Sequence, residues 1–284
     1  MRVAVTGSSG KIGREAVAAL LAAGHQVVGL DQTLGSIEGM HPLLCDCTDF
    51  GQVMGALSGA DIAGRIDAVV HMAGIPAPGL TPDHVVFQAN FMSTYHIFSA
   101  AARLGIERVV WGSSESILGV PFAIPPQIVP IDESVQTRAE WSYSLTKKLG
   151  EEMADEFCRW HDNLCIVSLR FSNVFTAADY AARPAVEANP QQRHYNLWSY
   201  VDARDAGMAC HLAIEADLSG HERLIIAAAD TVVSMPSAEL MATYFPGVPS
   251  SVPLEGNVSL LSSKRAAERI GYHPRHSWRD NDGA

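Results

Sequence analysis

The chain is 284 residues long, 48% hydrophobic and 18% charged, with 20 basic against 31 acidic side chains and a formal net charge of −11. That balance belongs to a globular protein able to bury a full core, with the excess acid favouring solubility. No Lys/Arg run tracks a phosphate backbone, which argues against nucleic acid as a partner, and no apolar run approaches the ~18 residues of a membrane span.

Met1-Arg2-Val3-Ala4-Val5-Thr6-Gly7 enters a strand at once, without the basic start and longer apolar stretch of a signal peptide. A cytoplasmic location is expected. Short, nearly continuous apolar runs predict strands over 3–6, 26–30, 42–45, 68–71, 108–112, 165–169 and 224–227. Helical patterns lie between them, over 12–23, 83–104, 143–161 and 202–216. Continuous rather than alternating strands are covered on both faces, so the βαβα order predicts an α/β fold, a Rossmann-type doubly wound parallel sheet. Over 143–161, Leu145, Leu149, Met153, Phe157 and Trp160 form one apolar stripe, which predicts the packing face.

Two stretches break the alternation: 121–130, with four prolines, and 176–195, both expected as irregular loops. Segment 234–272 is expected to form a small C-terminal lobe, and 279–284 to fray. The predicted division is a dinucleotide-binding core over 1–170, completed by 197–230. A small substrate-binding lobe would combine 171–196 with 231–284.

Gly7-Ser8-Ser9-Gly10-Lys11-Ile12-Gly13 follows the first strand and opens the first helix, in G-x-x-G-x-x-G spacing. Gly7 permits the tight turn and Gly10 lets the backbone approach a pyrophosphate. Gly13 allows close helix–strand packing, and the helix N-terminus offers N–H groups to the anion. Asp31 ends the second strand where a ribose-binding carboxylate belongs; a turn-forming Asp is the alternative. A carboxylate accepts from two ribose hydroxyls but repels a 2′-phosphate, and Gln32-Thr33 offers no compensating cation. NAD is the expected cofactor, in preference to NADP.

The five cysteines show no two-pair metal spacing, and Cys45-Asp46-Cys47 reads as reduced, packed thiols on one face of a strand end. The eleven histidines lack the helical pairing of a zinc protease, so no metal is expected.

Tyr143-Ser144-Leu145-Thr146-Lys147 places a phenol and an amine one helical turn apart. Hydride removal from an alcohol requires a base on its oxygen; free Tyr, with a pKa near ~10, needs a nearby cation to serve. Lys148 points about 100° away. With Ser113-Ser114 closing the fifth strand, these motifs together resemble the extended short-chain dehydrogenase/reductase family, the NAD-dependent sugar epimerases, dehydratases and dehydrogenases. The resemblance covers residues 1 to about 230. Asp46-Cys47-Thr48-Asp49 is similar to the family's adenine-side loop. His71-Met72-Ala73-Gly74 and Asn90 resemble segments along the cofactor, and Arg170-Phe171-Ser172-Asn173-Val174 resembles the segment after strand six. The resemblance implies Ser114, Tyr143 and Lys147 as catalytic residues, Lys147 also holding the nicotinamide ribose. It implies cofactor contacts from Gly7, Gly10, Lys11, Ile12, Gly13, Asp31, Asp46, Cys47, Ala73, Gly74, Asn90, Tyr143, Lys147 and Phe171. It also implies a homodimer through helices 83–104 and 141–161.

Departures from the family pattern bear on the substrate. Leu118 stands for a family Tyr, Ser116 for the second dehydratase carboxylate, and Asn196 for the Arg that grips a nucleotide-sugar diphosphate. These losses favour a smaller sugar-like substrate, a free sugar or sugar acid, contacted by Ser114 and by candidates Asn173, Arg193, His194 and Trp198. Loop packing is the alternative for each of those four. Three functions follow: a sugar dehydrogenase releasing NADH, a nucleotide-sugar epimerase keeping its NAD, and a non-catalytic NAD sensor. The intact trio argues against the sensor.

Overall fold

Branched apolar runs form the central strands because both sheet faces are covered. A computed structural model describes residues 1–60, 64–122 and 124–281. Its first part runs β1 (Arg2–Thr6), α1 (Lys11–Ala22), β2 (Gln26–Asp31), β3 (Met40–Leu44), α2 (Phe50–Ser58), β4 (Ala68–His71) and α3 (Asp83–Leu104). It continues with β5 (Arg108–Ser114), α4 (Ser142–Trp160), β6 (Cys165–Phe171), β7 (Val174–Phe175), α5 (Ala177–Tyr180) and α6 (Arg183–Ala188). The remainder is β8 (Val201–Asp202), α7 (Ala203–Glu215), β9 (His221–Ile226), α8 (Ser237–Tyr244) and α9 (Lys264–Ile270).

Seven parallel strands pair in the order β3-β2-β1-β4-β5-β6-β9. Chain direction across the sheet reverses between β1 and β4, so a crevice opens beyond their carboxyl ends. One face of the sheet packs against α1 and α7 through Val3, Val5, Val17, Leu20, Ala206 and Ile214. The other packs against α2, α3 and α4 through Val28, Leu57, Ile97, Trp111 and Phe157. A third apolar cluster, built on Leu118, Phe175, Trp198, Leu240 and Phe245, underlies the segments beside the sheet's carboxyl end.

All seven central strands overlap the apolar runs that predict them; β5 and β6 extend two residues further, whereas β3 and β9 begin two and three residues earlier and each end one residue earlier. Helix α2 was not anticipated; Gly51 and Gly55 dilute its pattern, but the Asp49 side chain accepts from Gln52 N and caps it. Segment 176–195 is not irregular: it holds α5, α6 and a 3-10 turn. Arg279 does not fray, because its guanidinium reaches Asp230 at 3.0 Å and the Val233 carbonyl at 2.7 Å. Residues 282–284 of that predicted tail lie outside the described residues.

The packing face of α4 also differs from expectation. Ser144, Thr146, Gly150, Glu151, Ala154 and Phe157 are its buried residues, whereas Leu145 and Trp160 are exposed. Gly150 explains this: a Cβ there would lie 2.4 Å from the Trp111 ring, so the helix is drawn against β5 by its smallest residue. Of the predicted stripe, Phe157 is buried and Leu149 and Met153 half-buried, so only its Leu145 and Trp160 ends turn outward.

Candidate active site

The turn after β1 and the turn after β4 face each other across the crevice. Gly7 has φ +64°, and a Cβ there would lie 2.7 Å from Ala73 N; at Gly13 it would lie 2.0 Å from Gly7 O. Both positions are closed to any side chain. The Thr6 hydroxyl ties the two turns together, accepting from Ala73 N at 3.1 Å and meeting His71 Nδ1 at 2.7 Å. Burial and the nearby Lys147 charge push the His71 pKa down to about 3, so this imidazole stays neutral.

The resulting cleft encloses about 410 Å³ and is lined by Gly7, Ser9, Gly10, Asp31, Asp46, Cys47, Ala73 and Gly74. Helix α1 starts at Gly10 with no side-chain cap and no acidic residue in its first turn, leaving its N–H groups for an anion. Asp31 is half-buried at the cleft wall and accepts from Ser9 N at 2.9 Å. Glycines that admit no side chain, an uncapped helix start and a carboxylate at the end of β2 fit an adenine dinucleotide. Cys45 and Met72 also line the cleft and were not anticipated as site residues. Cys45 and Cys47 hydrogen-bond each other, and that bond together with burial holds the Cys47 thiol protonated.

Tyr143 and Lys147 come from the first two turns of α4. Ser144 fixes that helix start: its hydroxyl accepts from Trp141 N at 3.1 Å and Glu140 N at 3.0 Å. The Tyr143 phenol stands beside Ser114, the last residue of β5, close enough for that hydroxyl to act on it. Lys147 Nζ donates to the Gly112 carbonyl at 2.6 Å and lies 5.7 Å from the Tyr143 ring centroid. Burial lowers the lysine pKa to about 8 and raises that of the phenol, with Glu115 raising the phenol further and Ser114 opposing. The expected lowering of the phenol by Lys147 is therefore not what governs this state. The amine is occupied by a backbone carbonyl, and desolvation prevails. Predicted from sequence, the trio is brought together; Lys148 instead points to the Thr137 carbonyl, 3.5 Å away.

Beside Ser114 lies a polar group the sequence did not reveal. Glu115 is buried, accepting from the Ser172 hydroxyl at 2.6 Å and from Asn196 Nδ2 at 2.9 Å. Burial is the largest influence on its carboxyl and raises the pKa to about 7 despite these donors and the Arg193 charge. Asn196 reaches it because Leu197 and Trp198, at φ 57° and 52°, fold the chain back sharply through two left-handed residues. A folded value near 7 against 4.5 means that the fold binds this proton more tightly than the unfolded chain does. The resulting stabilisation is complete below pH 4.5 and is lost as pH rises through about 7. Glu115→Gln removes that dependence, so above neutrality the variant should be more stable than the parent by on the order of 3 kcal/mol. Urea melts at pH 4 and pH 8 check it: the two proteins should differ little at the lower pH and most at the higher.

Several predicted contacts lie elsewhere. Trp198 is fully buried, donating to the Pro190 carbonyl at 2.7 Å and packing on Tyr244 and Phe245; it is a core residue, not a substrate contact. His194 likewise packs on Tyr244 and Phe245, with Nδ1 2.6 Å from the Gln191 carbonyl. Phe171 is buried in the core beneath α7 rather than in the cleft. Asn90 clamps the β4 turn, accepting from Ile75 N at 2.7 Å and donating to Ile75 O at 3.0 Å, so it shapes the cleft from behind. Lys11 ion-pairs with Asp179 at 2.7 Å, tying α1 to α5, and Ile12 packs on the core. Arg193 donates to the Ser199 carbonyl at 2.9 Å and stacks between Phe175 and Tyr195, close enough to act on Glu115. Asn173 is exposed beside this group.

Comparison with known proteins gives consistent results. The model of the NAD dependent epimerase/dehydratase family matches residues 3–227. The chain is 28% identical to an L-arabinose 1-dehydrogenase (NAD(P)(+)) of Haloferax volcanii, covering 76% of this chain and 84% of that protein. It is 27% identical to a UDP-glucose 4-epimerase of Neisseria meningitidis serogroup C over 75% of this chain, but spans only 64% of that epimerase. Among solved structures, a mutated uronate dehydrogenase superimposes with a TM-score of 0.69 at 20% identity, covering 99% of this chain and 84% of that one. At that identity the likeness speaks for the fold alone.

Proposed function

This chain belongs to the NAD-dependent epimerase/dehydratase family, and from that premise we propose that it is an NAD-dependent dehydrogenase of a free sugar or sugar acid. The observation that carries the reading is the convergence of Ser114, at the carboxyl end of β5, with Tyr143 and Lys147 of α4, the amine lying 5.7 Å from the Tyr143 ring centroid. The uncapped start of α1 would hold the pyrophosphate, and Asp31 the adenosine ribose hydroxyls. The cofactor, when bound, supplies the hydride acceptor. Ser114 orients the reacting hydroxyl and Tyr143 takes its proton, while Lys147, released from the Gly112 carbonyl, stabilises the phenolate. Arg193 and the exposed Asn173 would face the remaining hydroxyls, with Ser172 and Asn196 holding the Glu115 carboxylate beside them.

The same trio would serve an epimerase, as in the Neisseria relative. Against that reading, Asn196 occupies the diphosphate-gripping position and is turned inward onto Glu115. The division into a cofactor core and a substrate lobe, 171–196 with 231–284, is likewise a proposal. It is supported by the separate apolar cluster beneath those segments. A homodimer through α3 and α4 is supported by exposed Met92, Tyr95, Leu145 and Trp160 on those helices. Five free cysteines fit a reducing cytoplasm, and no described helix is long and apolar enough to cross a membrane.

The test is a screen of aldoses, uronates and UDP-sugars with NAD and NADP, following absorbance of the reduced cofactor. Net NADH from a free sugar or its acid is expected, with NADP the poorer acceptor. Interconversion of UDP-sugars without net NADH would replace this reading by the epimerase.

A further inference from the structure

A second constellation of chemically competent side chains lies at the opposite end of β2 from Asp31. Gly207 allows α7 to press on α1, since a Cβ there would lie 2.4 Å from the Glu15 carbonyl carbon. That close approach brings His25, in the turn between α1 and β2, against the last turns of α7. His211 and Glu215 stand one helical turn apart on α7 and share a face.

We propose that His25, His211 and Glu215 form a divalent-metal site, selective for zinc-like ions, that clamps α7 to the α1–β2 turn. His25 Nε2 lies 3.2 Å from Glu215 Oε1, and His211 Nε2 lies 3.5 Å from Glu215 Oε2. A tetrahedral ion with bonds of ~2.0–2.1 Å separates its ligand atoms by roughly 3.3 Å, so a small rotation that offers one Glu215 oxygen to both imidazoles would let the three side chains share an ion. All three ligand atoms fall within 4.8 Å of one another. Among the described residues this is the one group of three imidazole, thiol or carboxylate side chains so placed.

Burial distinguishes the arrangement from a surface ion pair. The two imidazoles are 7% and 13% exposed, and buried His25 Nε2, although 3.2 Å from Glu215 Oε1, makes no aligned hydrogen bond. Such orphaned polar atoms call for an explanation. His25 Nδ1 is turned the other way, 3.4 Å from the amino nitrogen of Met1, so Nε2 is the atom presented to α7. The carboxylate is 49% exposed, which gives an ion a path in and leaves room for water in the fourth position. Two imidazoles and one carboxylate suit zinc better than magnesium or calcium, which take all-oxygen sets. Spacing in the sequence could not indicate this site, because His25 and His211 meet only through the packing of α1 on α7.

The test uses the full chain stripped with EDTA and titrated with zinc chloride, by calorimetry and thermal melting. One ion per chain is expected, with a rise in Tm. His211→Ala and the half-exposed Glu215→Gln should each weaken uptake at least about tenfold and abolish that rise. Cys47→Ser should change neither, and cobalt(II) should give visible bands without thiolate charge transfer. Absence of saturable uptake at micromolar zinc, uptake unaltered in both α7 variants, or uptake lost in Cys47→Ser would overturn the proposal. None of these outcomes bears on the dehydrogenase reading, since the site lies away from Tyr143.

Discussion

Replacing Tyr143 by Phe is expected to lower turnover by ~10²–10⁴-fold while leaving NAD affinity within about threefold of the parent. The phenol oxygen is the group that stands against Ser114, so its loss removes the proton acceptor without disturbing the glycine turn or Asp31. The ring itself stays, and the helix start is held by Ser144 rather than by the phenol. Direction of pH dependence follows from the same geometry. Burial holds the phenol protonated, so oxidation should accelerate as pH rises, and reduction should favour the opposite limb. Stopped-flow turnover with fluorescence titration of NADH separates the two quantities. A Phe variant with near-parental turnover would remove Tyr143 from the mechanism.

How much of this was legible beforehand depends on range in the chain. The central strands announce themselves because each is a short apolar run, and Gly7, Gly10, Tyr143 and Lys147 because their chemistry depends on neighbours a few residues away. Glu115, Ser172 and Asn196 did not announce themselves: they meet from the ends of β5 and β6 and from a 3-10 turn, across 57 and 81 residues. The one available signal was Asn196 in place of a family Arg, and it indicated a loss rather than a new partner. Trp198 is ambiguous in sequence for the opposite reason: an aromatic in a loop near a cleft reads equally as a contact or as loop packing, and Tyr244 and Phe245, remote in the chain, decide for packing. The stripe on α4 was legible as apolar, but not that Leu145 and Trp160 at its two ends face outward, because Gly150 and Trp111 decide that across two elements.

The seating of α4 depends on a buried ion pair. Glu151, one turn beyond Lys147, meets Arg170 of β6 at 2.7 and 2.9 Å and also accepts from Ser113 at 2.7 Å. Both charges are nearly sealed from solvent, at 2% and 5% exposure, so their attraction mainly offsets desolvation. Removing one partner is therefore costlier than removing both. Glu151→Ala leaves the Arg170 guanidinium uncompensated and should destabilise the protein by ~3–5 kcal/mol, lowering Tm by on the order of 10 °C. Arg223, 3.2 Å from Glu151 but a third exposed, can return to water and adds little to that loss. The double replacement Glu151→Leu with Arg170→Met restores an apolar contact, and should recover most of the stability. Calorimetric melts of both singles and the double complete the cycle. If Glu151→Ala melts within a degree or two of the parent, the pair does not anchor the helix. Activity should fall with it below the melting range, because the same helix carries Tyr143 and Lys147 to Ser114.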